Sequence, residues 1–256
     1  ADLLAPARER QGELGTYRAL ADPALAAEHQ QLAPDRGQPD LDPQDLIDEL
    51  GLDLGVVAEF QAVAVRFGLK EKYILDLISG MEMDLEKHDY QTFQELEKYC
   101  YHVAGTVGLL CNQIFGFQDE RTERYALLLG TAFQLTNILR DVGSDAQRGR
   151  VYLPVEEMKT FHYTREELLA GRRSESFLQL MEFEAARADG YFQRANQCLS
   201  LQERKRLAAA NIMSEVYYSL LQKLRRQQFP VFGNKVTLSK WDKMKILWRT
   251  QCQKVF

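Results

Sequence analysis

In the stretch QLTNILRDVGSDAQRGRVYLP, four polar residues, Gln134, Asn137, Asp141 and Asp145, stand three, four and four positions apart. On a continuous helix that spacing puts them on one face. Ala132, Phe133, Leu135, Ile138 and Leu139 make the rest apolar, so the helix belongs in a core with one side open to a cavity. Two carboxylates and two amides on that side are hard oxygen donors of the kind that hold Mg2+, which bridges carboxylates to substrate phosphates. Arg140, Arg148 and Arg150 follow within a few residues and supply guanidinium partners for phosphate oxygens. Together these residues point to diphosphate chemistry. From this stretch alone a second reading stays open: a surface helix ending at Gly143, with Asp145 in a turn and ordinary arginine ion pairs.

Further candidates lie upstream. In GMEMDLEKHDY, Asp84 is either a solvated charge on an acidic outer face or a carboxylate beside the apolar Met81, Met83 and Leu85. Tyr99 and Tyr101 precede a cluster of small residues, Ala104, Gly105 and Gly108. A tyrosine beside a cavity can position diphosphate or face a developing cation with its ring, and can equally be a packing residue. His102 has no Cys or His partner at ligand spacing, so it reads as structural or solvent-facing. Glycine inside a helix costs roughly 1 kcal/mol. The cluster therefore marks a kink, a close approach by a ligand, or a helix crossing.

Helices must position all of these. The periodicity predicts helices over Val57 to Phe67, Lys70 to Leu85, Phe93 to Phe115, Glu120 to Asp141, Thr164 to Ala170, Ser174 to Leu199 and Gln202 to Gln228. No alternation of strand and helix and no internal repeat accompanies them, so the expected fold is all-α, helices packed around one another. Residues 1–50 differ in texture, with prolines at 6, 23, 34, 39 and 43. They read as an atypical or incomplete N-terminal region preceding a helical domain over 51–256. At 256 residues, 45% apolar and a formal net charge of -5, the chain can bury one substantial core. Cys100, Cys111, Cys198 and Cys252 form no metal doublet or disulfide framework, as in a reducing compartment. No apolar run reaches the roughly 18 residues of a spanning helix, and no signal-peptide pattern opens the chain, although its start at Ala1 leaves an upstream segment open. The expected location is cytoplasmic, at most peripheral at the inner membrane face. Nucleic acid is not an expected partner, and oligomeric state is not legible.

The motifs FGL, GMEMDLEKHDYQTFQELEKYCYHVAGTVG, QLTNILRDVGSDAQRGRVYLP and SEVYYSLLQKL, in that order, resemble the squalene/phytoene synthase family over residues 57–248. The resemblance implies an isoprenoid-synthase-like helical bundle around a central cavity, joining two prenyl diphosphates by their first carbons through a cyclopropyl intermediate. It implies that Asp141 and Asp145 are the second Mg-binding acidic motif, with Gln134 and Asn137 on the same face and Asn137 a further metal ligand. Arg140, Arg150 and Tyr152 fall in the diphosphate-contact region and Tyr217 near the leaving diphosphate. Tyr99 or Tyr101 assists ionisation, and Ala104, Gly105 and Gly108 form the glycine-kinked cavity helix. The family's first acidic motif is missing from its usual place. DLIDE, Asp45 to Glu49, resembles it but lies too near Phe67, and is better read as a solvated helix.

The leading expectation is therefore an Mg-dependent enzyme making presqualene diphosphate or a squalene-type product from farnesyl diphosphate, like bacterial members of the hopanoid pathway. Phytoene synthesis from geranylgeranyl diphosphate is the enzymatic alternative, and an inactive helical assembly or lipid-binding protein is the alternative of another class. No glycine loop for NADPH is present, which leaves reductant use open. From Lys223 to Phe256 there are nine Lys or Arg and one Asp, with Trp241, Ile246, Leu247, Trp248 and Phe256 among them. That composition predicts either a peripheral membrane contact or a solvated basic tail.

Overall fold

The computed structural model describes residues 54–86, 89–117, 119–233 and 235–252. The chain divides into two compact units, Ala1–Arg66 and Phe67–Phe256. In the first, the described residues form helix α1 (Leu54–Phe67), which stops at Gly68, a residue at φ +60° that favours glycine. The proposed acidic segment Asp45 to Glu49 lies outside the described residues.

Among its described residues, the second unit's regular elements are helices. Its elements are α2 (Glu71–Glu86), α3 (Phe93–Cys100), a π-helical turn (Tyr101–Gly105), α4 (Thr106–Ile114), α5 (Glu120–Gln147), α6 (Val155–Thr160), α7 (Arg165–Leu169), α8 (Glu175–Cys198), α9 (Leu201–Arg206), α10 (Ala208–Arg226) and α11 (Lys240–Cys252). Among the described residues the only extended pairing is a single parallel bridge between Asp89 and Val151. The all-α class is the observed one.

Helix α5 organises the unit. Asp119 caps its start by accepting from the main-chain N–H groups of Arg121 and Thr122. Its buried residues, from Thr122 and Tyr125 to Val142 and Ala146, cover all but one side of the axis, and it packs most extensively on α8. The core gathers Leu129, Leu135 and Leu139 of α5 with Phe177, Leu180, Met181 and Phe192 of α8 and Leu221 and Leu224 of α10.

Three element boundaries depart from the sequence expectation. The predicted helix Phe93 to Phe115 is broken by the π turn at Tyr101–Gly105, where the small residues let the backbone widen. The predicted helix Gln202 to Gln228 breaks at Leu207, whose side chain is drawn into the core. The predicted end of α5 near Asp141 lies too early, because the helix continues to Gln147. Gly143 is not its stop. The stop is Gly149 at φ +75°, where Arg150 N–H reaches back to the carbonyl of Asp145 and Gly149 N–H to that of Ala146, each at 2.9 Å. Those two bonds are the signature of a glycine-terminated helix.

Candidate active site

With α5 continuous to Gln147, Gln134, Asn137, Asp141 and Asp145 all lie on the helix. Each is half-buried, while Leu135, Thr136, Ile138, Leu139, Val142, Gly143 and Ala146 between them are buried. The polar stripe is thus the one open side of an otherwise enclosed helix. Asp145 is helical and not in a turn.

The two carboxylates have opposite surroundings. Arg140 donates to both oxygens of Asp141, with Nε to Oδ1 at 2.9 Å and Nη2 to Oδ2. Lys235 Nζ lies 3.1 Å from Oδ1 of the same group. Burial would raise the pKa of Asp141, but the two cations outweigh it and hold the group below the usual carboxylate range. Asp145 is pushed up to about 6, first by burial and then by the charge of Asp141, with Arg148 and Arg150 opposing and Asp84 adding to the rise. Lys235 reaches Asp141 because the chain after α10 crosses α5 at Gly143, where any side chain would meet the main chain of Val231 and Phe232.

Across from this stripe stands Asp84 of α2. Tyr152 OH donates to its Oδ1 at 2.7 Å and Tyr99 OH to its Oδ2 at 3.0 Å. The rings of Tyr99 and Tyr152 stack 5.4 Å apart and Tyr90 stacks on Tyr152 at 5.8 Å. The end of α5 sets this up: its glycine stop turns the chain so that Val151 bridges Asp89 and Val155 N–H bonds the carbonyl of Tyr90. Burial raises the Tyr152 hydroxyl to about 12 and the Tyr99 hydroxyl further still. Both stay protonated and serve as donors.

Tyr99 and Tyr101 part company. Tyr101 OH donates to Asp76 Oδ2 at 2.6 Å and accepts from Lys72 Nζ at 3.4 Å, a cluster separate from Asp84. His102 Nδ1 lies 2.8 Å from the carbonyl oxygen of Asp76, a local structural bond. Tyr217 stacks on Phe133 at 4.3 Å. The pKa of Arg140 is raised, chiefly by its bond to Asp141, and the nearby Tyr217 and Asp145 add to the rise.

The small-residue cluster sits at a helix crossing. A Cβ on Gly108 would lie 2.9 Å from the carbonyl oxygen of Ala126, and one on Gly130 would lie 2.7 Å from that of Ala104. A Cβ on Gly105 would meet the side chain of Leu127 at 3.2 Å. The backbones of α5, the π turn and α4 therefore touch directly. Each of these glycines stands where packed chain approaches closely.

Among the described residues, the buried Asn137 Oδ1 has no hydrogen-bond partner, and no group of three or more His, Cys, Asp or Glu is arranged to hold a metal ion. Three residues escaped the sequence reading. Asp84 carried an open reading as a solvated charge, Lys235 counted only toward a basic tail, and Gly143 looked like a helix stop. The phase of Asp84 relative to Tyr99 depends on packing between helices, which no local spacing records.

Comparison with known proteins agrees with this arrangement at the level of family. The squalene/phytoene synthase family model matches residues 3–242, and the chain belongs to that family. Phytoene synthase of Arthrospira platensis is 36% identical over 195 residues, covering 71% of this chain and 63% of that protein. The 15-cis-phytoene synthase of Synechocystis sp. is 38% identical over 172 residues, covering 62% and 51%. The chain therefore spans between about half and under two thirds of these relatives. Among solved structures, a dehydrosqualene synthase in complex with ligand aligns with a TM-score of 0.67 and 28% identity, covering 83% of this chain and 82% of that one. Squalene synthase HpnC from Alicyclobacillus acidocaldarius gives 0.62 and 26%, covering 69% and 67%. These sequence relatives are phytoene synthases, not specifically squalene synthases of the hopanoid pathway. No helix among the described residues is long and apolar enough to cross a membrane.

Proposed function

We propose that the chain performs the first-carbon to first-carbon condensation of two prenyl diphosphates, with geranylgeranyl diphosphate as substrate and phytoene as product. The observation that carries the reading is the opposition of two polar sets: Asp84 held by Tyr99 and Tyr152, and the α5 stripe with its paired Asp141 and its proton-prone Asp145. Phytoene synthases among the relatives favour geranylgeranyl over farnesyl diphosphate.

Asp145, Asp141 and the unpartnered Asn137 Oδ1 fit Mg2+, since carboxylate and amide oxygens are its preferred donors. Bound there, the ion would supply positive charge to the diphosphate oxygens. Arg140, Lys235 and Arg150 add cationic partners at the same end. They neutralise the leaving diphosphate as it takes the electron pair of the allylic carbon–oxygen bond. Tyr99 and Tyr152 hold Asp84 in one orientation, and their stacked rings shield the cation from water. A reaction ending at phytoene needs no NADPH. Prenyl substrates of this length also suit a peripheral position at a membrane surface.

The test is turnover of labelled geranylgeranyl and farnesyl diphosphates by the purified protein with and without Mg2+. Phytoene from the first substrate, lost on chelation, is the expected result. A product from farnesyl diphosphate alone would restore the squalene-type reading. Binding of both without turnover would leave an inactive lipid binder.

A further inference from the structure

We infer that α11 is an interfacial helix that lies flat on an anionic lipid surface. Its rotation is fixed on the protein side. Ser239 Oγ accepts from Asp242 N–H at 3.1 Å while Asp242 Oδ2 accepts from Ser239 N–H at 3.0 Å, a reciprocal cap. Asp242 also faces Lys223 of α10 at 3.8 Å, and Lys223 Nζ donates to the carbonyl of Thr237 at 2.8 Å. Ile246, on the same side, is buried.

The opposite side is apolar and open. Trp241, Met244, Leu247 and Trp248 are 72%, 59%, 44% and 74% exposed. At 100° per residue they cover an arc of about 120°, roughly opposite Ile246. Lys243 borders the arc on one flank and Lys245 on the other, while Arg249 falls on the protein side beside Asp242, lining a cleft with Lys223 and Arg226 of α10. Lys240 projects within the arc, at the first turn. Among the described residues none of the four cations of α11 forms an ion pair. The helix thus carries four cations and one acid, in a chain whose formal net charge is -5.

An apolar arc rimmed by long cations is the arrangement by which an amphipathic helix sinks its apolar face among acyl chains while lysine stems reach up to headgroup phosphates. A protein partner fits less well, because Lys is depleted from the cores of protein interfaces and here it projects into the apolar arc. Helix α10 connects this face to the candidate site, since Tyr217 and Lys223 stand on it about 9 Å apart along the axis. The docked helix would bring the site beside the lipid that holds prenyl substrates and products. That purpose rests on the function proposed above; the docking itself does not.

Trp241 and Trp248 are the two tryptophans of the chain, so intrinsic emission reports this helix alone. The full chain is mixed with vesicles of phosphatidylcholine, or of phosphatidylcholine and phosphatidylglycerol in equal amounts, each with and without brominated acyl chains. With anionic vesicles at low salt, emission should move to the blue and be quenched by the bromines. Neutral lipid or high salt should weaken both effects, because the attraction is screened. At roughly fivefold per charge, the Lys240→Gln, Lys243→Gln, Lys245→Gln variant should need on the order of a hundredfold more anionic lipid. A Trp241→Ser, Trp248→Ser variant, followed by sedimentation, should stay in the supernatant with its melting temperature unchanged. Both variants should turn over detergent-dispersed substrate as the parent does, which separates failed docking from failed catalysis. Unshifted emission with every vesicle would overturn the inference. So would sedimentation without bromine quenching, or a blue shift that grows with protein concentration in the absence of lipid, the mark of self-association.

Discussion

Gly143 lies directly beneath the main-chain carbonyl of Val231: a Cβ built on it would overlap that oxygen and sit 2.9 Å from the carbonyl carbon. The contact joins the acidic helix to the segment that carries Lys235. Backbone cannot rotate out of the way as a flexible side chain can, so Gly143→Ala should displace the segment. Overpacking of this kind is destabilising by about 1–3 kcal/mol. Thermal melting should show the loss, and turnover should fall with it as Lys235 leaves Asp141. An unchanged melting temperature would mean that the segment does not rest on Gly143 in solution.

The two tyrosines that sequence alone left equivalent should separate cleanly. Tyr99 and Tyr152 fill the two oxygens of Asp84, whereas Tyr101 serves Asp76. Groups that orient a functional carboxylate typically matter by about 10- to 100-fold, which is the loss of kcat expected for Tyr99→Phe and for Tyr152→Phe. Tyr101→Phe should retain most of the parent turnover. A larger loss at Tyr101 than at Tyr99 would move the reacting centre to the Asp76 cluster.

The helical class and the single face of Gln134, Asn137, Asp141 and Asp145 were legible because both follow from local periodicity. The true end of α5 at Gly149 was missed, because Gly143 offers the same local signal six residues earlier. Only the crossing of the 231–232 backbone distinguishes them. The glycines 105 and 108 show the same limit, since a missing side chain records that something comes close and not what it is. Asp84 and Lys235 were illegible as site residues because Tyr152, which joins Asp84 to the end of α5, and Asp141, which Lys235 faces, lie 68 and 94 positions away. Such pairs are fixed by helix packing, not by spacing.

In the metal-free protein the Asp145 carboxyl is pushed up to about 6, so Mg2+ binding, and turnover with it, should weaken on the acid side. Protonated, the carboxyl no longer offers Mg2+ a charged oxygen ligand. Asp84→Asn removes one of the charges that raise it, so any residual activity of that variant should persist to lower pH. Stability should respond with the opposite sign. A carboxyl whose folded pKa lies above its ordinary 3.8 takes up more protons folded than unfolded, so stability falls as pH rises from about 4 to about 6. Asp145→Asn should therefore melt higher than the parent at pH 7, and not at pH 4, while turnover is lost. Equal melting temperatures at pH 7 would show that Asp145 is better solvated than its burial implies.

A second carboxyl pair tests the core rather than the site. Glu184 of α8 and Glu157 of α6 are both buried and share Arg187, which donates to both oxygens of Glu157 and lies 2.7 Å from Glu184. The guanidinium is also stacked on Phe93, 3.8 Å from the ring centre. Burial, and then the hydrogen bond with Glu157 and its charge, push Glu184 up to about 9, whereas Arg187 outweighs burial at Glu157 and holds it below the usual glutamate range. Glu184 thus carries a proton at neutral pH, and the fold holds that proton where the unfolded chain, with an ordinary glutamate near 4.5, releases it. Stability should decline as pH rises across that window. Glu184→Gln preserves the shape and cannot ionise, so its melting temperature should fall less than the parent's between pH 7 and pH 9, with turnover unaffected. Arg187→Met strands an ionised Glu157 in the core and should destabilise the fold by about 3–5 kcal/mol. Parallel pH profiles for the parent and Glu184→Gln would show that Glu184 is already ionised at pH 7.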